Sequence, residues 1–433
     1  MQVRLAAPAS RHELSDHAHT APRAVGMGDD VSACAGGDVG YTSVSADLDV
    51  DALIAAATDP DTVTQAERLR AWVGSGTSML DLRAEKDFER HRFDGAVNIP
   101  FGDLDGRLHE LPPRGTPLAV LLKQPDGPDD AATFEAQLRV FAADFKSRPW
   151  RVESVFVSDP GSSRSRDSRD SLFLGIAQSA GVDVVSGAVP RNERGRLWEP
   201  SDAVARWLPR IERLAREADA ARGDTRLREA TRNVLVDLGC GAGRDAVFAA
   251  LRGWHVLALD SDAKGLARCA ALAATHGVAC AVRGVRVDLR KETPRELVAR
   301  AEREAAAHAA VTSRGDAPRA RLTFLAVRYM NRPLTRALPA LLPVGACVCW
   351  FHFARGAELT PVGRPNKARD LLEAGELRDA FARGGDGWEV LCDGQTVLPD
   401  GRPVSEFVAT RRPTRGVRDG GDGGARDSLC DVP

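Results

Sequence analysis

The sequence is short of several features that mark common classes of protein. No stretch approaches about 18 uninterrupted apolar residues, because Arg, Asp or His interrupts every run of Ala, Leu and Val, which argues against a transmembrane helix. The eight cysteines form no C-x-x-C pair and no Cys/His spacing typical of a zinc site. The formal charge is only -2, and no basic stripe offers an electrostatic footprint for nucleic acid. We therefore expect no membrane span, no bound metal and no nucleic-acid partner.

Length and composition indicate a folded, multidomain chain. At 433 residues the chain is too long for one ordinary core, and we expect two domains with tails. Hydrophobic residues at 43% and charged residues at 28% are typical of globular proteins. The scattered cysteines and the lack of an apolar signal segment predict a cytoplasmic protein. Arg4, Arg11 and Arg23 leave organellar import open.

Apolar patterning divides the chain into five segments, namely a disordered segment (1–48), an α/β domain (49–208), a linker helix (209–230), a second α/β domain (231–412) and a disordered tail (413–433). In both domains strands alternate with helix patterns, which predicts parallel sheets covered on both faces. Val182–Val185 is predicted as the last strand of the first sheet, and Arg244–Leu251 as the first helix between strands of the second. In the second domain, Leu398-Pro399-Asp400-Gly401 separates the last two strands. It predicts an antiparallel hairpin at the edge of a seven-stranded sheet.

A glycine-rich loop in the second domain carries the strongest functional signal. The apolar strand that contains Asp237 runs directly into Gly239, Gly241 and Gly243, and a helix pattern begins at Arg244. Backbone can approach a ligand closely where no Cβ is present, and free N–H groups at the helix start favour polar or anionic groups. A dinucleotide motif needs glycine at the position of Arg244, so a dinucleotide site is disfavoured. The loop predicts a nucleotide-like ligand; the alternative is that the glycines only make a tight turn.

Two further carboxylates follow the next two strands. Asp260 ends the second strand, where a carboxylate can accept both hydroxyls of a ribose. Asp288 is predicted to end the third strand, Val282–Asp288, where a carboxylate can accept the exocyclic amine of adenine. With Asp237 they would surround a nucleoside that carries no phosphate. The alternative is that these aspartates cap helices.

These residues resemble the class I S-adenosylmethionine-dependent methyltransferases. The resemblance covers about residues 230–412 and rests on the D-L-G-C-G-x-G loop; GRDAVFAALRGWHVLALD and GRPNKARDLLEAGELRDAF are similar to the tellurite-resistance-like branch. It implies a Rossmann-like sheet and S-adenosyl-L-methionine as the cofactor. The implied cofactor-binding residues are Asp237, Gly239, Cys240, Gly241, Gly243, Asp260, Val287, Asp288 and Leu289.

The acceptor side is expected after the fourth and fifth strands. Methyl transfer from a sulfonium needs mainly orientation and desolvation, so no obligatory catalytic dyad is expected. Arg328, Tyr329 and His352 are the candidates, and His352 could assist deprotonation of a thiol or hydroxyl. The alternatives are that Tyr329 packs against the cofactor, that Arg328 and Arg332 bond to loop carbonyls, and that His352 is an ordinary strand residue.

The first domain resembles the rhodanese-like fold over residues 79–115. Asp81, Arg83, Phe88 and His91 occupy the D-x-R…F…H positions of that fold. The resemblance implies a parallel α/β domain, with a cysteine in the loop after the next strand if the domain transfers sulfur.

That cysteine is missing. A sulfurtransferase needs a thiolate that can carry a persulfide, and no cysteine lies between Cys34 and Cys240. We therefore expect no transfer of sulfur from thiosulfate to cyanide. The domain is expected to be structural or regulatory and to pack on the methyltransferase through Arg196-Leu197-Trp198-Glu199-Pro200.

The sequence thus predicts a methyltransferase that acts on a small molecule. Fusion to a sulfur-handling fold suggests a thiol, a selenol or a related soft nucleophile as acceptor, an argument from fold analogy alone. The main alternative is a non-catalytic protein with two binding modules, one of which binds S-adenosylmethionine. Sulfur transfer is a weaker third possibility.

Overall fold

The computed structural model describes residues 62–113, 115–123, 150–158, 171–221, 232–312 and 320–412. Helices predicted at 52–57 and 134–145, the polar loop at 161–170 and both predicted tails lie outside these residues, as do Cys34 and most of the loop after the strand at 117. All described residues belong to one compact unit, Asp47–Pro433. None of their helices is long and apolar enough to cross a membrane.

The N-terminal part is built on a parallel sheet of four strands in the order β3-β1-β4-β5. Leu118, Val120 and Leu122 point to one face of β4 and Ala119 and Leu121 to the other, and all five are buried. The elements of this part are α1 (Thr62–Ser75), β1 (Ser78–Asp81), α2 (Glu85–Arg90), β2 (Arg92–Phe93), β3 (Val97–Asn98), α3 (Leu104–Arg107), β4 (Pro117–Lys123), β5 (Arg151–Ser158), α4 (Ser171–Ala180) and β6 (Val184–Val185), with 3-10 turns at Phe101–Asp103, Leu108–Glu110 and Arg191–Glu193.

The predicted strand Val182–Val185 of the parallel sheet is wrong. Only Val184–Val185 is extended, and it pairs antiparallel with β2 in a separate two-stranded sheet. Val182 and Val184 pack against the apolar cluster that contains Phe93. The apolar run 182–185 is therefore explained by packing against the Phe93 cluster and not by a place inside the parallel sheet.

The C-terminal part is built on a seven-stranded sheet in the order β12-β13-β11-β10-β7-β8-β9. Strands β7 to β11 run parallel, whereas β13 pairs antiparallel with both β11 and β12. The strands are β7 (Arg232–Leu238), β8 (His255–Asp260), β9 (Val282–Arg286), β10 (Ala320–Val327), β11 (Cys347–Phe353), β12 (Trp388–Val397) and β13 (Pro403–Arg411).

Helices cover both faces of this sheet. Leu235 joins the apolar cluster on one face and Val234 and Val236 the cluster on the other, as expected for a central parallel strand. The helices are α5 (Asp202–Ala221), α6 (Arg244–Leu251), α7 (Ala263–Thr275), α8 (Pro294–Thr312), α9 (Arg332–Leu341) and α10 (Glu376–Arg383), and 3-10 turns lie at Ala279–Ala281, Ala357–Leu359 and Ala368–Asp370. The first three contribute to the Leu235 side and the last three to the other side.

The predicted linker helix is also corrected. It begins at Asp202 rather than at Pro209, and Pro209 lies inside it. Val204, Trp207 and Ile211 are buried in the core of the seven-stranded sheet, so the segment is a core helix and not a spacer.

Candidate functional site

The candidate site lies where the order of strands reverses. From β7 the chain moves outward through β8 and β9, whereas β10 and β11 lie on the other side of β7. In open α/β sheets, ligands bind in the crevice at the carboxyl ends of the strands at such a switch point. The glycine loop follows β7, and Arg328 and Tyr329 follow β10. The two segments that the sequence predicted for cofactor and acceptor therefore share one crevice.

The three glycines of the loop have positive φ angles but different surroundings. A Cβ on Gly239 (φ 76°) would lie 3.1 Å from the ring of Tyr329, and one on Gly243 (φ 81°) would overlap Cys269 Sγ. A Cβ on Gly241 (φ 55°) would meet nothing within 4 Å. Packing thus explains Gly239 and Gly243, whereas Gly241 faces open space.

Asp237 is a buried carboxylate in the central strand. It is only 3% exposed, and its Oδ2 has no hydrogen-bond partner among the described residues. Burial, together with the negative charges of Asp245 and Asp260, raises the pKa of Asp237 well above its ordinary value. A buried polar atom without a partner is costly, so this oxygen is available to a cationic or hydrogen-bonding ligand.

Asp260 ends β8 beside the glycine loop. Its Oδ2 accepts the N–H of Gly241 at 2.8 Å, and its Oδ1 accepts the N–H of Asp262 at 2.8 Å. A carboxylate oxygen can accept more than one hydrogen bond, so both oxygens retain capacity for a ligand. The side chain is half-buried and fixed, which suits it to accept two neighbouring hydroxyls.

Val287, Asp288 and Leu289 form the loop after β9, which ends at Arg286 rather than at Asp288 as predicted. Val287 N–H still donates to Asp260 O at 2.8 Å, after which the chain turns. Leu289 is buried. The Asp288 carboxylate accepts from Arg290 N–H and Nε, each at 3.2 Å, and these bonds lower the pKa of Asp288. The Asp288 carboxylate is thus held by a local turn and does not cap a helix, since the next helix begins at Pro294.

Tyr329 and Asn331 connect the loops after β10 and β9. The Tyr329 ring lies against Gly239, and Asn331 Nδ2 donates to Leu289 O at 2.9 Å and to Tyr329 Oη at 3.3 Å. Burial raises the pKa of Tyr329, so its phenol stays protonated near neutral pH. Tyr329 therefore packs against the glycine loop.

The two other acceptor-side candidates have different surroundings. His352 is 4% exposed within a fully buried strand, and its Nε2 donates to Asp370 O at 2.9 Å. Burial lowers the pKa of His352, so the ring is neutral and fits the ordinary strand residue of the alternative reading. Arg328 is exposed at the carboxyl end of β10. Arg332, by contrast, donates to Leu371 O at 2.5 Å and pairs with Glu376.

Several residues that support the site were missed by sequence reasoning. Cys269 on α7 lies under the loop, where its contact with Cys240 and burial raise the pKa of the Cys240 thiol. A Cβ on Gly265 would lie 2.9 Å from Gly241 O, so this glycine lets α7 approach the loop. Of these residues, only Asn331 could have been predicted from the sequence, because Asn directly before Arg-Pro is typical of a helix N-cap. In the structure its Oδ1 accepts Leu334 N–H at 3.1 Å.

The described residues contain no group of three or more His, Cys, Asp or Glu side chains placed to hold a metal ion.

No protein-family model matches the chain. A curated relative is the uncharacterized protein UNK4.09 of Schizosaccharomyces pombe, which is 22% identical over 368 residues that span 79% of this chain and 96% of the relative.

Solved structures similar to the chain include several methyltransferases. TehB from Haemophilus influenzae is 16% identical, with a TM-score of 0.28 over 45% of this chain and 61% of TehB. A geranyl diphosphate methyltransferase in complex with SAM is 14% identical, with a TM-score of 0.29 over 42% of this chain and 78% of its own. A 16S rRNA (adenine(1408)-N(1))-methyltransferase from Catenulisporales acidiphilia is 16% identical, with a TM-score of 0.29 over 44% of this chain and 90% of its own. These similarities are low.

Proposed function

We propose that this chain is an S-adenosylmethionine-dependent methyltransferase that acts on a small-molecule acceptor. The observation that carries the proposal is the pairing of Asp237, a buried carboxylate with a free oxygen, with Gly241, whose α-carbon faces open space. Both lie at the switch point of a sheet in which ligands bind at the carboxyl ends of the strands. A ligand with a cationic aminoacyl end would satisfy Asp237.

The residues around the crevice fit this cofactor. Asp237 and the Gly239–Gly243 loop would hold the methionine part, with the amino group near the unpartnered Oδ2. Asp260 would accept the ribose hydroxyls, and its bond to Gly241 N–H keeps the carboxylate beside the loop. Val287, Asp288 and Leu289 would border the adenine, where Leu289 supplies a buried apolar surface.

The chemistry that the cofactor supplies when bound is a methyl group on a sulfonium, with a neutral thioether as leaving group. The chain itself has to bind, orient and exclude water. Tyr329 closes the crevice on the β10 side, and Asn331 fixes its hydroxyl and the loop after β9. No general base is assigned, because His352 is buried and bonded to Asp370 O.

The N-terminal block has a structural or regulatory role in this proposal. Asp81 and Arg83, which carry the rhodanese-like resemblance, form a buried ion pair at 2.7 Å, and Arg83 also donates to His91 O at 2.6 Å. Those residues are therefore engaged in holding the end of β1. With no cysteine between Cys34 and Cys240, the block has no group to carry a persulfide.

The test is transfer of a labelled methyl group. Full-length protein is incubated with S-adenosylmethionine labelled in the methyl group and with a cell extract separated into small-molecule and macromolecular fractions. We expect label in a product of the small-molecule fraction, and none with Gly241→Val protein. Label that enters only protein or RNA would overturn the small-molecule acceptor, and no transfer to any fraction would favour a non-catalytic binding protein.

A further inference from the structure

Arg328 has an unusual backbone at the edge of the crevice. It is the one non-glycine residue with a positive φ (57°) in the described part of the chain. Its N–H donates to Phe351 O at 2.7 Å, which fixes the turn at the end of β10. A bulky side chain in the left-handed region is strained, and such strain is concentrated at functional sites. Glycine would relieve the strain, so the arginine calls for a reason in its side chain.

The Arg328 guanidinium lies on the side of β11 and the β12–β13 hairpin. Its Cζ is 5.9 Å from the centroid of the Phe353 ring, and Arg402 Cζ is 4.4 Å from the same centroid. Tyr329, the next residue, turns the other way and covers Gly239. Arg328 thus lies beside Phe353 and Arg402, at the carboxyl end of β11.

The charges of Asp400 and Asp245 act on Arg328, but both carboxylates are bonded to other groups. Asp400 binds Arg402 through Nε at 3.1 Å and Nη2 at 2.6 Å, so those two charges compensate each other. Asp245 accepts the N–H of Ser201 at 2.7 Å. Among the described residues the guanidinium of Arg328 has no ion pair or hydrogen bond, and neither has that of Arg244 at the start of α6. Arg328 and Arg402 share the Phe353 ring, and Arg244 begins the helix that directly follows the glycine loop.

We propose that Arg328, assisted by Arg244, is the subsite for a carboxylate on the methyl acceptor. The inference rests on the proposed methyltransferase function and adds the chemical class of the acceptor. The planar guanidinium group can bind a carboxylate through two parallel hydrogen bonds. The Phe353 ring, which also contacts the Asp400-bound Arg402, restricts the position of the Arg328 side chain. The acceptor therefore carries an acid group a short distance from the nucleophile that takes the methyl group.

The cofactor also has a carboxylate, at its methionine end, and the test separates the two sources. Binding of S-adenosylmethionine and of 5′-methylthioadenosine, which has no carboxylate, is measured by calorimetry for full-length wild type and for Arg328→Gln. The proposal predicts that the variant binds both as the wild type does. A selective loss of S-adenosylmethionine affinity would assign Arg328 to the cofactor and overturn the proposal.

The acceptor subsite is tested with succinate and its neutral analogue succinamide, added to protein saturated with S-adenosylhomocysteine. We expect succinate but not succinamide to bind, and Arg328→Gln to weaken succinate about tenfold, a free-energy change of about 1.4 kcal/mol. The control Arg383→Gln, which removes an exposed guanidinium on α10, should leave both unchanged. No succinate binding, or equal binding in Arg328→Gln, would overturn the subsite. Failure of S-adenosylhomocysteine to bind the wild type would overturn the proposed function itself.

A second variant separates this role from a role in folding. Arg328→Gly suits the positive φ, so its midpoint of unfolding should equal or exceed that of the wild type while succinate binding is lost. Arg328→Gly protein that unfolds much more easily and still binds succinate would show a structural arginine and overturn the proposal.

Discussion

The carboxylate of Asp237 is expected to lower the stability of the folded protein as the pH rises and to raise its affinity for the cofactor. A carboxyl group whose pKa is raised in the folded state contributes stability below its ordinary pKa of 3.8 and loses that contribution as the pH rises. Asp237→Asn removes this titration while keeping the shape of the side chain. We therefore expect the free energy of unfolding of the variant, relative to that of the wild type, to increase from about pH 5 to about pH 8. We expect its affinity for the cofactor to fall at least about tenfold.

The measurement is urea unfolding of both proteins at the two pH values, together with calorimetry of cofactor binding. A stability difference that does not change with pH would show that Asp237 is not the titrating group. Wild-type affinity in Asp237→Asn would show that the carboxylate does not face the ligand.

At the residue scale, the sequence revealed the groups that face a ligand better than those that support them. Asp237, Gly241 and Asp260 lie close together because they stand at or just after the carboxyl ends of β7 and β8, which are neighbours in one parallel sheet. The contact of Tyr329 with Gly239 and that of Cys269 with the loop depend on how distant segments pack. Nothing local in the sequence marks them.

In the glycine loop, Gly241 leaves space for a ligand, whereas Gly243 allows close packing against Cys269. Gly241→Val should abolish cofactor binding because the new side chain enters the open space that the ligand would occupy. The protein should still fold, at a cost in stability from placing a β-branched residue at a φ of 55°. Gly243→Ala should instead unfold the protein more easily, because its Cβ would overlap Cys269 on α7. An overpacked core position of this kind typically costs about 1–3 kcal/mol.

Circular dichroism and urea unfolding report the fold of the two glycine variants, and calorimetry reports binding. A Gly241→Val protein that aggregates where the wild type does not would make the role of Gly241 mainly structural. A Gly243→Ala protein as stable as the wild type would contradict the packing of α7 against the loop.

Elements with strong local signals were predicted well. Helix Arg244–Leu251 agrees with its predicted bounds, since Gly243 in the left-handed conformation directly precedes its first turn. The hairpin of β12 and β13 follows from the turn chemistry of 398–401. The start of α5 and the place of Val184–Val185 were predicted wrongly. The helix begins earlier because Val204 and Trp207 are buried in the core, and Val184–Val185 pairs with β2 instead of joining the parallel sheet.

In the whole molecule, the junction before α5 joins the N-terminal block to the seven-stranded part. Trp198 is 1% exposed in the core of that part, and its Nε1 donates to His276 Nε2 at 3.0 Å. Arg196 lies over the rings of both Trp198 and Phe248. Beside it, a cavity of about 290 Å³ is lined by residues of the N-terminal block and by the end of α7.

Trp198→Ala should therefore destabilise the protein by about 3–5 kcal/mol, as expected when a buried tryptophan leaves a cavity. Trp198→Phe keeps most of the volume and should cost less, through the lost bond to His276. Urea unfolding followed by circular dichroism measures both. If Trp198→Ala loses less than about 1 kcal/mol, the junction is a surface contact and not part of the core.

Calorimetry of the full chain tests directly whether this crevice holds the cofactor. We predict that S-adenosylmethionine and S-adenosylhomocysteine both bind, because both present the same ribose and adenine. Asp260→Ala should weaken them by about 1.5–3 kcal/mol, roughly ten- to a hundredfold, since it removes a charged acceptor for two hydroxyls. Asp379→Ala, which removes an exposed carboxylate on α10, should leave the affinity unchanged. Absence of binding by the wild type, or equal affinity in Asp260→Ala, would contradict the proposed site.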